Sequence, residues 1–203
     1  MVQELEIEFK NILTEAEYHN LLSAFSISPE QVNMQENFYF DTPSFALKEI
    51  GCALRIREKN AGYTLTLKQP VEKGLLETHQ TLSNEEAKSM LDGASLIEGQ
   101  ITDIIRDLSI DPLEITFFGS LQTKRAEVKY KQGLLVLDAS YYLNHQDFEV
   151  EYEVTDEKIG HARFLELLST HSIPVRKTEN KIRRFYNRKK QILLGENSNE
   201  NRF

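Results

Sequence analysis

The 203-residue sequence contains no tryptophan and only one cysteine, Cys52. A single thiol excludes an internal disulfide framework, and neither cysteine nor histidine stands beside Cys52 at metal-ligand spacing. No apolar run approaches the roughly 20 residues that a membrane helix requires. The N-terminal stretch MVQELEIEF carries carboxylates where a signal peptide has a basic and then an apolar region. We therefore expect a cytoplasmic protein that does not interact with membranes.

Basic residues are also in short supply, with 24 against 32 acidic ones and a formal net charge of −8. This balance argues against broad affinity for nucleic acid, so a polyanionic ligand would need a local basic pocket. Glycine and proline are scattered, and no linker divides the chain, which predicts one domain over residues 1–190. Residues 191–203 end in GENSNENRF and carry little that is apolar, so we expect this tail to be disordered.

Alternation of charged and apolar residues is what the sequence has in abundance. In ELEIEFK, at residues 4–10, all charged side chains fall on one face of a strand and all apolar ones on the other. Seven further strands are predicted at NMQENFYFD, CALRIREK, YTLTLKQ, LLETHQTL, EITFFGSLQTKRAEVKY, LLVLDAS and DFEVEYEVT. Helices are predicted at 14–25, from Ser83 onward, in LIEGQITDIIRDL, at 157–170 and at 179–190. Together they predict an α+β fold, an eight-stranded antiparallel β-barrel with helices packed outside and at its ends.

The charged faces of these strands have two interpretations. A small barrel normally fills its interior with apolar side chains and turns its charges to water. Here, however, the strands are segregated by sign: Arg55 and Arg57 share one face of their strand, and the glutamates of FEVEYEV share one face of theirs. If outer helices cover the apolar faces, the charged faces line a tunnel. Such a tunnel suits a metal-bound polyphosphate, because arginine and lysine bind phosphate oxygens and carboxylates bind Mg²⁺ or Mn²⁺.

The order of these motifs resembles that of the CYTH domains, also called triphosphate tunnel metalloenzymes. The matching features are Glu-x-Glu-x-Lys at 6–10, YFDT, LRIR, TLK, Glu77, Arg125, Asp138, the late Glu-x-Glu run and NKIRR. This resemblance extends to about residue 188. It implies a tunnel that binds a small-molecule triphosphate with Mg²⁺ or Mn²⁺ as cofactor. We therefore expect a metal-dependent triphosphatase, with inorganic triphosphate as substrate, acting as a monomer or homodimer.

The resemblance also implies roles for individual side chains. The metal-holding carboxylates are Glu6, Glu8, Asp138, Glu149 and Glu151, and the phosphate-binding cations are Lys10, Arg55, Arg57, Lys68, Arg125, Lys181 and Arg184. If a general base is needed, the candidates are Lys10, Lys68 and Tyr39. The register of the late pair stays open between Glu149 with Glu151 and Glu151 with Glu153. Thr123 stands where the family often has a lysine two residues before Arg125.

Other functions share this scaffold. A thiamine triphosphatase or an adenylate cyclase of the same family would need a pocket for the organic group, and the lack of tryptophan removes one stacking platform. A binding module that senses polyphosphate or nucleotides without turnover would need the cations but not the carboxylates. Because the sequence has both, catalysis is favoured.

Overall fold

The computed structural model describes residues 2–59 and 62–200. The strands are β1 (Val2–Leu13), β2 (Val32–Asp41), β3 (Ala53–Lys59), β4 (Gly62–Pro70), β5 (Leu75–Leu82), β6 (Thr116–Tyr130), β7 (Gly133–Tyr142) and β8 (His145–Val154). The helices are α1 (Glu15–Ala24), α2 (Ala46–Glu49), α3 (Asn84–Leu91), α4 (Gln100–Asp107), α5 (Glu157–Thr170) and α6 (Lys181–Glu200). Short 3₁₀ turns at Pro29–Gln31 and Pro112–Glu114 precede β2 and β6.

The eight strands form one closed antiparallel barrel in the order β1-β5-β4-β3-β2-β6-β7-β8. Hairpins join β3 to β4, β4 to β5, β6 to β7 and β7 to β8, and α2 lies in the connection between β2 and β3. Strand β1 closes the barrel between β5 and β8. Closure leaves no strand edge unpaired. The predicted eight-stranded barrel is therefore confirmed.

The apolar faces of the strands point outward and are covered by helices. One cluster joins Leu54 and Leu65 of the barrel wall to Met90 of α3 and Ile101 of α4. A second cluster covers β7 and β8 with α1 and α5, and its fully buried members include Leu21, Leu135 and Val150. Each such side chain contributes about 1.5–3 kcal/mol by leaving water. Because this core lies outside the wall, the charged face of every strand is left to the lumen.

Local signals explain where several helices begin. Thr14 and Ser83 each form the predicted capping box, with Glu17 and Glu86 respectively. Helix α4 starts only at Gln100, later than predicted, after Gly99. The short helix α2 was not predicted from the sequence.

Asp41 explains how α2 forms. Its carboxylate accepts hydrogen bonds from the backbone N–H groups of Thr42, Leu47 and Lys48, at 2.8, 2.9 and 3.1 Å. Because these groups have no partner inside so short a helix, the buried carboxylate holds the turn together. The YFDT motif therefore shapes one rim of the barrel.

Helix α6 packs against that end of the barrel. Phe185 is buried beside Tyr39, Leu121 and Tyr142. Gly119 permits this approach, since a Cβ atom there would lie 2.6 Å from Cζ of Phe185. The helix continues to Glu200, so it includes residues 191–200 of the tail that we expected to be disordered, and residues 201–203 lie outside the described part. Over the described ranges, none of the helices combines the length and hydrophobicity needed to cross a membrane.

Candidate active site

A cavity of about 800 Å³ occupies the barrel lumen and reaches the rim formed by α2 and α6. Its wall includes ten of the predicted site residues, namely Glu6, Glu8, Lys10, Tyr39, Arg55, Arg57, Lys68, Arg125, Glu151 and Lys181. These residues come from six strands and α6. The strand alternation that put them on one face thus brings them together. The other three, Asp138, Glu149 and Arg184, are not part of the cavity wall.

The carboxylates of β1 are paired with lysines across the wall. Lys10 forms an ion pair with Glu8 on its own strand. Lys68 Nζ lies 2.6 Å from Glu6 Oε2 and also contacts Glu77. Burial, which outweighs the effect of Lys68, raises the pKa of Glu6, and the charges of Glu8 and Glu77 add to the rise. This wall therefore holds more negative charge than its two lysines neutralise.

Glu153 is a carboxylate of this wall without a basic partner among the described residues. It faces Glu8 in the register of β1 and β8. No lysine, arginine or histidine of the described ranges lies within ion-pair distance of it. Burial, followed by repulsion from Glu6, Glu151 and Glu8, raises its pKa to about 7 against the opposing effect of Arg125. A cation placed among these carboxylates would relieve that repulsion.

The arginines of β3, Arg55 and Arg57, lack acidic partners among the described residues. Arg57 Nε donates a 2.9 Å hydrogen bond to Asn37 Oδ1, and Arg55 Nε is buried without an acceptor in the described chain. Neither guanidinium has a described carboxylate within ion-pair distance, whereas Arg125 and Arg184 do. Burial and repulsion from Arg55 and Arg125 lower the pKa of Arg57 to about 9. An anion between these arginines would offset both effects.

A buried ionic network links three residues of the cavity wall, Arg125, Glu151 and Lys181, to Asp138, Glu149 and Arg184 outside it. Asp138 accepts hydrogen bonds from Arg125 Nε at 2.8 Å and from Lys181, and Glu151 accepts from Lys181 at 2.7 Å. Arg184 donates to Glu149 Oε2 at 2.6 Å. The network joins α6 to β6, β7 and β8. Asp138 and Glu149 are fully buried and already bonded to cations, so their geometry is that of groups that position Arg125 and α6.

The three candidate bases differ in their surroundings. Burial acts to lower the pKa of Lys10, but the charges of Glu8, Glu151 and Glu149 outweigh it and raise the pKa. Lys68 Nζ contacts two carboxylates, those of Glu6 and Glu77. Tyr39 lies in the cavity wall and packs on Phe118 and Phe185. These environments favour Lys10 and Lys68 as charged ligands rather than as proton acceptors.

Several wall residues were not among the predicted set. Glu4, Gln35, Asn37, Thr123 and Glu153 line the cavity, and all follow from the same strand alternation. Glu77 contacts Lys68. Burial acts to raise the pKa of Glu77, but the charges of Lys68 and Arg55 outweigh it and lower the pKa to about 2. His79 donates to or accepts from Thr66, with 3.0 Å between Nδ1 and Oγ1. The sequence thus predicted which side chains face the lumen, but it did not predict their ion-pair and hydrogen-bond partners.

The acidic wall offers carboxylate oxygens, which are the ligand atoms that Mg²⁺ prefers. Within residues 2–59 and 62–200, no three aspartate, glutamate, histidine or cysteine side chains already converge as a ligand group. The reason lies in the lysines, which hold Glu6 and Glu8. The chemistry of the acidic wall nonetheless fits a hard cation, because its donors are carboxylate oxygens and Glu153 has no basic partner there.

Comparisons with known proteins agree with this architecture. A protein of Bacillus subtilis (strain 168), named as the candidate triphosphatase YjbK, is 51% identical over 193 residues, which are 95% of this chain and 100% of that protein. The crystal structure of a candidate adenylate cyclase from Bacillus halodurans is 46% identical, covers 92% of this chain and 100% of that one, and superposes with a TM-score of 0.88.

A more distant solved structure has the same fold. It is the candidate adenylyl cyclase HpAC1 from Hippeastrum, whose structure is described as revealing a dominant triphosphatase activity. Its TM-score is 0.76 at 23% identity, over 90% of this chain and 96% of that one, so the likeness concerns the fold alone. The family model described as the CYTH domain matches residues 4–186. With the closed barrel and its charged lumen, this match shows that the chain belongs to the CYTH domain family.

Proposed function

We propose that this protein hydrolyses triphosphate compounds with the help of a divalent metal, and that inorganic triphosphate is its main substrate. One observation carries the proposal: the same cavity contains arginines without a described acidic partner and a glutamate without a described basic one. A metal-bound triphosphate supplies both missing charges at once. The 51% identity to YjbK, a protein named as a candidate triphosphatase, supports the same activity.

The cationic wall would bind and orient the substrate. Arg55 and Arg57 present guanidinium groups that match phosphate oxygens in geometry, and Arg125 reinforces the positive charge beside them. Lys10 and Lys68, which contact Glu8, Glu6 and Glu77 in the ligand-free protein, would donate to phosphate oxygens of the bound substrate. Phosphoryl transfer depends mainly on such positioning and on charge stabilisation, so the protein needs no covalent intermediate.

Glu6, Glu8 and Glu153 would hold the metal, which we propose to be Mg²⁺ or Mn²⁺. This set leaves out Asp138, Glu149 and Glu151. Asp138 and Glu149 lie outside the cavity wall and are bonded to Arg125, Lys181 and Arg184, and Glu151 lines the cavity but is held by Arg125 and Lys181. When bound, the metal supplies Lewis-acid stabilisation of phosphate charge and a means to activate water. The carboxylates orient it relative to the arginines on the facing wall.

Direct attack by water is the mode of hydrolysis that the cavity favours. Burial raises the pKa of Cys52, so its thiol stays neutral and is a poor nucleophile. Glu8, Glu151 and Glu149 raise the pKa of Lys10 against the effect of its burial, so its ammonium would stabilise negative charge on the departing phosphate. Lys68, which lies beside Glu6 and Glu77, would donate to the same phosphate oxygens. The chain's contribution is thus to bind both ends of the triphosphate and to exclude most bulk water from it.

Adenylate cyclase activity is the second candidate, because the Bacillus halodurans relative with 46% identity carries that name. The rim near α6 includes Phe118 and Tyr186, which are apolar surfaces of the kind that an organic group contacts. However, Tyr186 is already packed on Phe45, at 4.1 Å between ring centroids, and is covered by Lys48. This packing favours a substrate without an aromatic group.

Phosphate release from inorganic triphosphate, ATP and thiamine triphosphate, each with Mg²⁺, Mn²⁺ or a chelator, tests the proposal. We expect hydrolysis that the chelator abolishes and that is fastest with inorganic triphosphate. Faster turnover of an organic triphosphate, or a cyclic nucleotide as product, would instead assign the protein to one of the related activities. Binding of triphosphate without turnover under any metal would show a sensor module.

A further inference from the structure

A second cavity, of about 330 Å³, opens at the β3–β4 end of the barrel. It shares Arg55, Arg57 and His79 with the main cavity, and its remaining polar lining is Lys59, Tyr63, Thr64, Thr66 and Thr81. We call it the side chamber. The arginine pair is therefore a wall with one face toward the main cavity and the other toward this chamber.

The side chamber differs from the main cavity in its charge. Its described lining contains three cationic residues and three threonine hydroxyls but no aspartate or glutamate. The main cavity, in contrast, includes carboxylates from β1, β5 and β8. A chamber with ammonium, guanidinium and hydroxyl donors and no anionic wall suits an anion rather than a metal complex.

The register of the strands concentrates these donors. Thr64 is opposite Arg57 on β3 and opposite Thr81 on β5, so three donor side chains share one level of the wall. At the next level Thr66 is opposite Arg55 and His79. The terminal nitrogens of Arg57 form no hydrogen bond to the described chain, whose one contact with this guanidinium is at Nε. Donors thus remain free on the side that faces Thr64.

We propose that the side chamber is a second phosphate-binding site, which holds a phosphate group next to the triphosphate of the main cavity. This inference deepens the proposed function and rests on it for the position of the triphosphate. The phosphate has two possible sources: orthophosphate released by hydrolysis, or the fourth phosphate of a longer linear polyphosphate. In both cases Arg57 contacts phosphate oxygens in both cavities.

The test is calorimetric titration in the presence of a chelator, so that binding is measured without turnover. Orthophosphate is titrated into the protein alone and into protein saturated with triphosphate, and tetraphosphate is compared with triphosphate. Binding of orthophosphate beside triphosphate identifies the free product as a ligand. A tetraphosphate affinity at least about tenfold above that of triphosphate identifies the tethered phosphate. If triphosphate displaces all orthophosphate and tetraphosphate gains nothing, the proposal is wrong.

Variants locate the binding. Lys59→Gln removes the exposed ammonium of the chamber. Thr64→Val removes a hydroxyl while nearly keeping the size of the side chain. Each should weaken the second phosphate about tenfold or more, whereas Lys88→Gln, an exposed lysine of α3 far from the lumen, should not. Unchanged binding in both chamber variants overturns the proposal. Lys59-dependent phosphate binding in a protein that hydrolyses no triphosphate would overturn the proposed function and leave the chamber standing.

Discussion

Glu8 and Glu153 face each other as register partners on β1 and β8, and both lie in the cavity wall. Like charges at directly opposed positions destabilise a strand pair. Lys10 neutralises Glu8, while Glu153 has no basic partner in the described chain. The barrel therefore folds with repulsion between carboxylates in its acidic wall, which protonation of Glu153 relieves and which the metal we propose there would also relieve.

The first prediction concerns the pH dependence that this conflict creates in metal-free protein. The folded-state pKa of Glu153 is raised from 4.5 to about 7, so the unfolded chain loses this proton first as the pH rises. The free energy of unfolding should therefore fall between pH 4.5 and 7, by up to about 3 kcal/mol from this group. Glu153→Gln should remove this fall. Urea unfolding in chelator at pH 5 and pH 8 measures it.

Metal supplies the control for that experiment. At pH 8, millimolar Mg²⁺ or Mn²⁺ without substrate should stabilise the natural protein and should stabilise Glu153→Gln less, because ligands that bind only the folded state raise its stability. Equal pH dependence in both proteins, measured in chelator, would mean that Glu153 is well solvated and carries its charge at no cost.

The second prediction concerns the unpaired arginines. Arg57→Met removes a buried charge that Arg55 and Arg125 repel, so the ligand-free protein should gain about 1 kcal/mol or more of stability. Triphosphate affinity should fall about 10- to 100-fold, since charge-assisted phosphate contacts are lost. Thermal unfolding and calorimetric titration measure the two effects.

A matched control is Arg106→Met on the outer surface, where the arginine pairs with Glu98 at 2.7 Å. It should leave both the thermal stability and the triphosphate affinity unchanged, because exposed ion pairs contribute little. If Arg57→Met lowered stability as well as triphosphate affinity, the guanidinium would stabilise the fold of β3. Our proposal that it is an unpaired anion-binding group in the ligand-free protein would then be wrong.

The fold was predictable because its signals are local. Alternation in each strand gave the eight strands, and Thr14 and Ser83 gave two helix starts. Helix α2 has only four residues and depends on Asp41, whose carboxylate reaches backbone groups six and seven positions ahead. Neither hydrophobic periodicity nor a local capping residue in the sequence predicts such a short helix. It is set by how β2 ends against the rim.

The site was predictable as a face but not as a set of partners. Alternation assigns Glu149, Glu151 and Glu153 equally to the lumen. Its period of two fixes the face on which a side chain lies but not how deeply that side chain is buried. What separates them is α6, which brings Lys181 and Arg184 onto Glu149 and Glu151 and leaves Glu153 outside their reach. The docking of a helix more than 25 residues downstream is a tertiary event that the strand pattern does not contain.

The third prediction tests whether the buried network holds α6. Lys181→Met leaves Asp138 and Glu149 buried with fewer cations, which should lower the free energy of unfolding by about 3–5 kcal/mol. Lys131→Met removes a surface lysine that contacts Glu166 and should leave the free energy of unfolding nearly unchanged, because exposed ion pairs contribute little. Urea unfolding of both variants without ligand gives the comparison. Equal losses would show that α6 is held by the packing of Phe185 and not by its charges.

The last prediction separates the metal-holding wall from the phosphate-binding wall. Glu6→Gln and Glu8→Gln keep the shape of each side chain but remove an anionic ligand, so turnover should fall at least about 100-fold, the upper range for groups that only orient a metal's ligands. Glu58→Gln, on the outer face of β3, should retain full turnover.

Triphosphate binding in chelator should survive or tighten in the first two variants, for two reasons. Deleting a carboxylate reduces repulsion of the polyanion in a confined site, where screening is weak. It also releases a lysine: without the charge of Glu6, Lys68 is held by Glu77 alone and becomes freer to reach a phosphate oxygen. Calorimetric titration paired with metal-dependent rates measures both walls together. Full turnover in Glu6→Gln and Glu8→Gln would mean that the charged face of β1 holds no metal, and weakened binding would mean that these glutamates support the cationic wall instead.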